Sequence, residues 1–87
     1  MIHLIYTPIF IRQFNKLNSN LQEEVLEKIE LFKDVSNHKS LKVHKLNGRL
    51  NKSYSFYVNY KYRIIFDYVT KTEVNILAIG DHDIYNK

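Results

Sequence analysis

The chain has 87 residues, a formal net charge of +4 and no cysteine. That length gives one domain with a modest core, and the absence of thiols rules out disulfides, thiolate metal ligands and a cysteine nucleophile. Hydrophobic residues at 45% against 25% charged describe a folded chain rather than a disordered one. No apolar run approaches the roughly 20 residues that span a bilayer, and residues 1–6 carry neither a basic n-region nor a small-residue cleavage site. A cytoplasmic protein without membrane contact is the expectation.

With two glycines and one proline, most of the chain is expected in regular elements joined by short connections. Residues 2–6 are apolar and β-branched and predict a strand. Thr7-Pro8 predicts a helix start, because threonine caps and proline fits the first turn. Ile9, Phe10, Phe14 and Leu17 recur at helical spacing and carry that helix to near Asn18. Ser19, with Gln22 three residues on, reads as a capping box opening a second helix. Leu21, Val25, Ile29 and Phe32 form its apolar stripe with Leu26 beside it, and Glu23, Glu24, Glu27 and Lys28 lie on the wet side. So short a connection predicts an antiparallel helical hairpin.

Residues 36–39 are polar and loop-like. Leu41, Val43 and Leu46 then alternate with Lys42 and Lys45 as a strand would. Asn47-Gly48 predicts a turn. Strands are expected over 53–59, 62–69 and 74–79, separated by Asn59-Tyr60-Lys61 and Thr70-Lys71-Thr72, which together make an antiparallel meander. Two helices followed by a run of strands imply an α+β fold with the helices on one face of the sheet. The other face is left to be wet and to carry much of the basic charge.

That charge is unevenly placed. Between Asp34 and Asp67 there is no acidic residue, while Lys39, Lys42, Lys45, Arg49, Lys52, Lys61 and Arg63 fall there with His38 and His44. The acids gather at Glu23, Glu24, Glu27, Glu30 and Asp34. One half of the chain is thus fitted to meet a polyanion. The alternative is a solvated basic face of the kind many small basic proteins carry. The four histidines do not fall with carboxylates in a metal-like cluster, so no metal site is expected.

Three segments, in this order and spacing, resemble the RelE/ParE superfamily of toxins from type II toxin–antitoxin systems. His44-Lys45-Leu46-Asn47-Gly48 is similar to the family's H-x-L-x-G entry into the meander. Tyr62-Arg63-Ile64-Ile65-Phe66 is similar to its Y-R-I-I-Y strand. Residues 76–85 are similar to its closing I-x-x-I-G-x-R/H-x-x-V-Y. The resemblance covers essentially the whole chain, residues 1–87, as one toxin domain, and its motifs stand closest to the RelE and YafQ-like messenger-RNA interferases.

The resemblance implies an endoribonuclease that cuts messenger RNA in the ribosomal A site. The 2′-hydroxyl attacks the adjacent phosphorus and the 5′-oxygen leaves, with no metal and no small-molecule cofactor. Such chemistry needs a proton acceptor, cover for the charge growing on the phosphoryl oxygens, and a proton donor. Histidine suits the first and last, arginine the second. The resemblance assigns His82 as general acid or base, His44 to proton transfer or phosphate contact, and Tyr85 to stacking on or orienting the nucleotide. Arg63 alternates with Tyr62 and Ile64, which puts it on the wet face, fit to stabilise the transition state. The alternative for Arg63 is an ion pair with Asp67 or Asp81.

Lys42, Lys45, Arg49, Lys52 and Lys61 are candidate RNA-backbone contacts. Tyr57 and Lys61 stand near the places where the YafQ-like branch keeps a histidine and a carboxylate, and both are candidate RNA contacts. His3 and His38 have no motif around them. The implied partners are a cognate antitoxin, the ribosome and messenger RNA. Two other readings share the fold: a ParE-like inhibitor of DNA gyrase without nuclease activity, and a non-catalytic RNA-binding relative.

Overall fold

A computed structural model describes residues 1–48 and 52–81. Among them the elements run β1 (His3–Tyr6), α1 (Pro8–Asn15), α2 (Ser19–Phe32), a short 3₁₀ turn (Val35–Asn37), β2 (His44–Lys45), β3 (Tyr54–Tyr57), β4 (Arg63–Tyr68) and β5 (Glu73–Gly80). The strands form one sheet in the order β1-β5-β4-β3-β2. The expected α+β fold with its antiparallel meander is present. The sheet as a whole is mixed, because β1 lies parallel to β5 at the far edge.

Thr7 caps α1 as expected, accepting from the Phe10 N–H, with Pro8 in the first turn. Its hydroxyl also lies 2.9 Å from the Ile76 carbonyl of β5, so one side chain starts the helix and fixes it to the sheet. The cap of α2 differs from expectation. Asn18 is the cap residue, its Oδ1 accepting from the Leu21 N–H at 2.9 Å, and Ser19 lies inside the helix. Gln22 takes no part in a capping box and donates instead to the Phe14 carbonyl at the end of α1. Asparagine and serine cap about equally well, so the residue one place earlier took the role and freed Gln22 to join the helices. Asn18→Ala is therefore expected to cost about 1 kcal/mol in chemical denaturation, and Ser19→Ala no more than about 0.5 kcal/mol.

The predicted strand through residues 41–46 is the second difference. Only His44 and Lys45 pair as strand. Lys42 adopts φ +56°, a left-handed conformation that interrupts extended pairing, and the Leu41 N–H turns back to the Asn37 carbonyl. Leu41 is nonetheless buried, as the alternation suggested.

The core lies between the helices and one face of the sheet. Val25, Ile29 and Phe32 of α2 and Phe10 of α1 meet Phe56, Ile64, Phe66, Val74, Ile76 and Ile79. Leu26 remains outside it, 53% exposed. Phe32 is the hub. It stacks on Phe56 at 4.4 Å, meets Phe66 edge-on at 4.8 Å, and carries the His38 ring on top at 4.6 Å. His38 Nε2 lies 2.8 Å from the Phe32 carbonyl, so that nitrogen carries the proton and the ring serves as a lid on the core.

A bulge in β5 sets the second face. Ile65 pairs with Ala78 but Phe66 with Ile76, leaving Leu77 as the extra residue. The bulge keeps Ile76 and Ile79 both on the core side although they are three apart. It also places small residues, Ala78 and Gly80, opposite Ile65 and Arg63.

Candidate functional site

Strand register decides which side chains share the face away from the helices. Tyr57 pairs with Arg63, and Arg63 with Gly80. One step along, His44, Ser55, Ile65 and Ala78 form a cross-strand row. The face is not uniformly wet as expected: Ser55 and Ile65 at its centre are buried, at 0% and 5% exposure. Around that dry centre stand His44, exposed, with Tyr57 and Arg63, both half-buried.

Arg63 is held from two sides. Its guanidinium carbon lies 4.8 Å from the centre of the Tyr57 ring. Its Nη1 donates to the Asn59 carbonyl at 2.6 Å and to the Tyr62 carbonyl at 3.0 Å. Both acceptors are neutral, so they orient the guanidinium without cancelling its charge. The alternative ion pair with Asp67 does not form. Asp67 is two positions beyond Ile65 on β4, and its Oδ1 is buried with no hydrogen-bond partner. Two ion pairs, Lys28 with Glu27 and Lys33 with Glu30, lie on or beside α2.

Lys42 reaches the same aromatic ring from the other strand edge, its Nζ 5.2 Å from the Tyr57 centroid. Its left-handed backbone also turns the Lys42 carbonyl to His44, whose Nδ1 lies 2.8 Å away. A carbonyl only accepts, so His44 Nδ1 carries the proton. In the neutral ring Nε2 is then the free lone pair, the form a general base requires. A left-handed lysine costs about 1–2 kcal/mol, and that strain falls at the residue that joins His44 to Tyr57.

His44, Lys42, Tyr57 and Arg63 are thus brought into one patch across β2, β3 and β4. With strands about 4.8 Å apart and about 3.4 Å per residue, the Cα atoms of His44 and Arg63 are about 12 Å apart. Lys61 is in the turn after β3, with its Nζ 5.6 Å from the ring centre of Tyr62, which packs against the core on the helix side. Lys45 pairs with Tyr54, whose ring packs with the core-side Phe66, so it stands on the opposite side of β2 from His44. Lys52 is exposed, before β3 at the end of that strand away from Arg63. Arg49, His82 and Tyr85 lie outside the described residues. Among the described residues no three His, Asp or Glu side chains gather to hold a metal ion, and no helix is long and apolar enough to cross a membrane.

Sequence reading passed over Asn59 and Glu24. Asn59 was legible only as a turn residue. Its Oδ1 accepts from the N–H groups of Lys61 and Tyr62, at 2.9 and 2.8 Å, while its Nδ2 donates to Glu24 Oε1 at 2.6 Å. Glu24, expected on the wet side of α2, is half-buried and turned to this turn instead.

Residues 9–82 match the family described as RelE-like toxins of the type II toxin–antitoxin system HigB. No curated protein matches the chain in sequence. Among solved structures, the fold is similar to the toxin–antitoxin complex RelBE2 of Mycobacterium tuberculosis, with TM-score 0.73 and 22% identity over 93% of this chain and 98% of that one. It is also similar to the YoeB–YefM complex of Staphylococcus aureus, with TM-score 0.71 and 16% identity over 94% and 98%. A third similar structure is YafQ of E. coli, with TM-score 0.67 and 12% identity over 97% of both chains.

Proposed function

The chain belongs to the RelE-like toxins of type II toxin–antitoxin systems, and from that premise we propose that it is a ribosome-dependent endoribonuclease that cuts messenger RNA in the cytoplasm. The observation that carries this reading is the patch in which Arg63, oriented by neutral carbonyls on Tyr57, shares a sheet face with a His44 ring whose Nε2 is the free nitrogen.

In this reading one nucleotide lies between His44 and Arg63. His44 Nε2 accepts the 2′-hydroxyl proton as the oxygen attacks phosphorus. The Arg63 guanidinium covers the charge that develops on the non-bridging oxygens, where a preorganised cation acts without reorganisation cost. His82 delivers a proton to the departing 5′-oxygen, and Tyr85 stacks on the nucleotide. No metal or small-molecule cofactor enters any step. Lys42 and Tyr57 extend the RNA-binding surface beside Arg63, while Lys45, Lys52, Lys61 and Arg49 contact the RNA backbone away from the reacting nucleotide. The ribosome presents the codon. A cognate antitoxin restrains the enzyme, in keeping with the complexes that RelBE2 and YoeB–YefM form.

The test is cleavage of a defined messenger on programmed ribosomes by the purified protein. Fragments ending in 2′,3′-cyclic phosphate support the reading, and an intact messenger with impaired gyrase supercoiling would replace it with the ParE-like one. A companion variant separates binding from folding. Lys42→Gly relieves the left-handed strain, so stability is expected to hold or to rise by up to about 1 kcal/mol. The same change removes one phosphate contact and is expected to reduce the slope of log affinity against log salt by about 0.7 for single-stranded RNA.

A further inference from the structure

We propose that Asn59, anchored by Glu24, is a positioning residue for Arg63. The proposal rests on the ribonuclease reading above and adds the part of the fold that aims its arginine.

The geometry converges on one residue. Asn59 uses its side-chain oxygen twice, on the N–H groups of Lys61 and Tyr62, and its side-chain nitrogen once, on Glu24. Its carbonyl, in turn, accepts Arg63 Nη1 at 2.6 Å. The Tyr62 carbonyl, the second acceptor for Nη1, belongs to the same turn. Any shift of the turn therefore moves both acceptors of the guanidinium together.

What keeps the turn from shifting is α2. Glu24 and Asn59 are 35 residues apart in sequence, and the 2.6 Å bond between them is charge-assisted, which makes it stronger than a neutral one. Glu24 makes this contact in place of a helical pair with Lys28, whose nearest acid is Glu27 at 4.0 Å. Together Glu24 and Asn59 line a polar groove between the start of α2 and the turn. The position requires asparagine. Aspartate accepts the two backbone N–H groups but has no proton for Glu24, and it would set two carboxylates face to face. Serine holds the two backbone N–H groups, as the Thr70 hydroxyl does in the next turn, but is too short to reach Glu24, and alanine makes neither contact.

The consequence is functional because catalytic groups must be held to within about 0.5 Å of the productive geometry. A displaced guanidinium still binds RNA as a cation, but it no longer meets the oxygens on which charge develops. Loss of the link is thus expected in kcat and not in KM.

The test is a donor–acceptor reversal measured on programmed ribosomes. Asn59→Asp is expected to lower kcat about tenfold with KM changed less than about twofold. Adding Glu24→Gln, which supplies the missing donor from the other side, is expected to bring kcat back to within about threefold of wild type. Glu24→Ala, which leaves the turn sequence intact, is expected to lower kcat like Asn59→Asp. In parallel, ¹⁵N spectra of the arginine side chains are expected to show restrained Nη signals for Arg63 in wild type, averaged signals in Asn59→Asp, and restrained signals again in the double variant. A wild-type kcat in folded Asn59→Asp or Glu24→Ala, or a folded double variant without recovery, overturns the proposal. Should wild type cut no RNA at all, the nuclease reading fails by itself. The Arg63 spectra then decide the positioning half: averaging that reverses in the double variant upholds it, and unchanged spectra overturn it.

Discussion

Arg63→Ala is expected to lower messenger cleavage on programmed ribosomes by about 100- to 1,000-fold, the usual cost of removing one preorganised donor from a developing oxyanion. The guanidinium is half-buried, stacked over Tyr57 and aimed by two neutral carbonyls, so nothing in those contacts competes with phosphate for its charge. Arg63→Lys is expected to recover little of the loss. An ammonium has neither the planar fork that grips two phosphoryl oxygens nor the flat face that rests on a tyrosine ring. Stability should change by about 1 kcal/mol or less in both variants, since the side chain stands on the second face and outside the core cluster. Cleavage at the wild-type rate in either variant would remove Arg63 from the chemistry.

The largest stability effect is expected at Phe32. Its ring is fully buried and touches Phe56, Phe66 and His38, so it joins the end of α2, the centre of the sheet and the connection to β2. Phe32→Ala leaves a cavity that none of these rings fills without leaving its rotamer, at a cost of about 3–5 kcal/mol. For a small domain with a total of about 5–15 kcal/mol, that is a large part of the margin. Denaturant titration should show the midpoint falling steeply for Phe32→Ala and less for His38→Ala, which removes the lid and leaves the hub. Equal losses in the two variants would mean that the stack is not centred on Phe32.

The helices and the three meander strands were legible because their signals are local. Thr7-Pro8, the stripe Val25–Ile29–Phe32 and the turn residues around Asn59 and Thr70 each act within a few positions. The errors came where two local solutions compete. Asn18 and Ser19 are both good caps, and the helix uses Asn18 while Gln22 donates to the Phe14 carbonyl. The run from Leu41 to Leu46 alternates like a strand, but Lys42 breaks it with a conformation that sequence favours at glycine and not at lysine.

In the site, alternation alone put Arg63 on the face away from the core. Its partnership with Tyr57 required the register of the β3–β4 hairpin, and the small residue opposite it required the β5 bulge at Leu77. The Glu24–Asn59 bond spans 35 residues between two elements, and no periodicity reports such a contact. The roles of His82 and Tyr85 rest on motif resemblance, their positions lying outside the described residues.

Mapping of messenger-RNA 5′ ends in a bacterial host after induction of wild type and of Arg63→Ala tests the ribonuclease activity directly. Wild type is expected to arrest growth with new 5′ ends inside translated codons, and Arg63→Ala to leave both growth and messengers intact. Growth arrest by wild type without such ends, accompanied by a change in DNA supercoiling, would contradict the ribonuclease account.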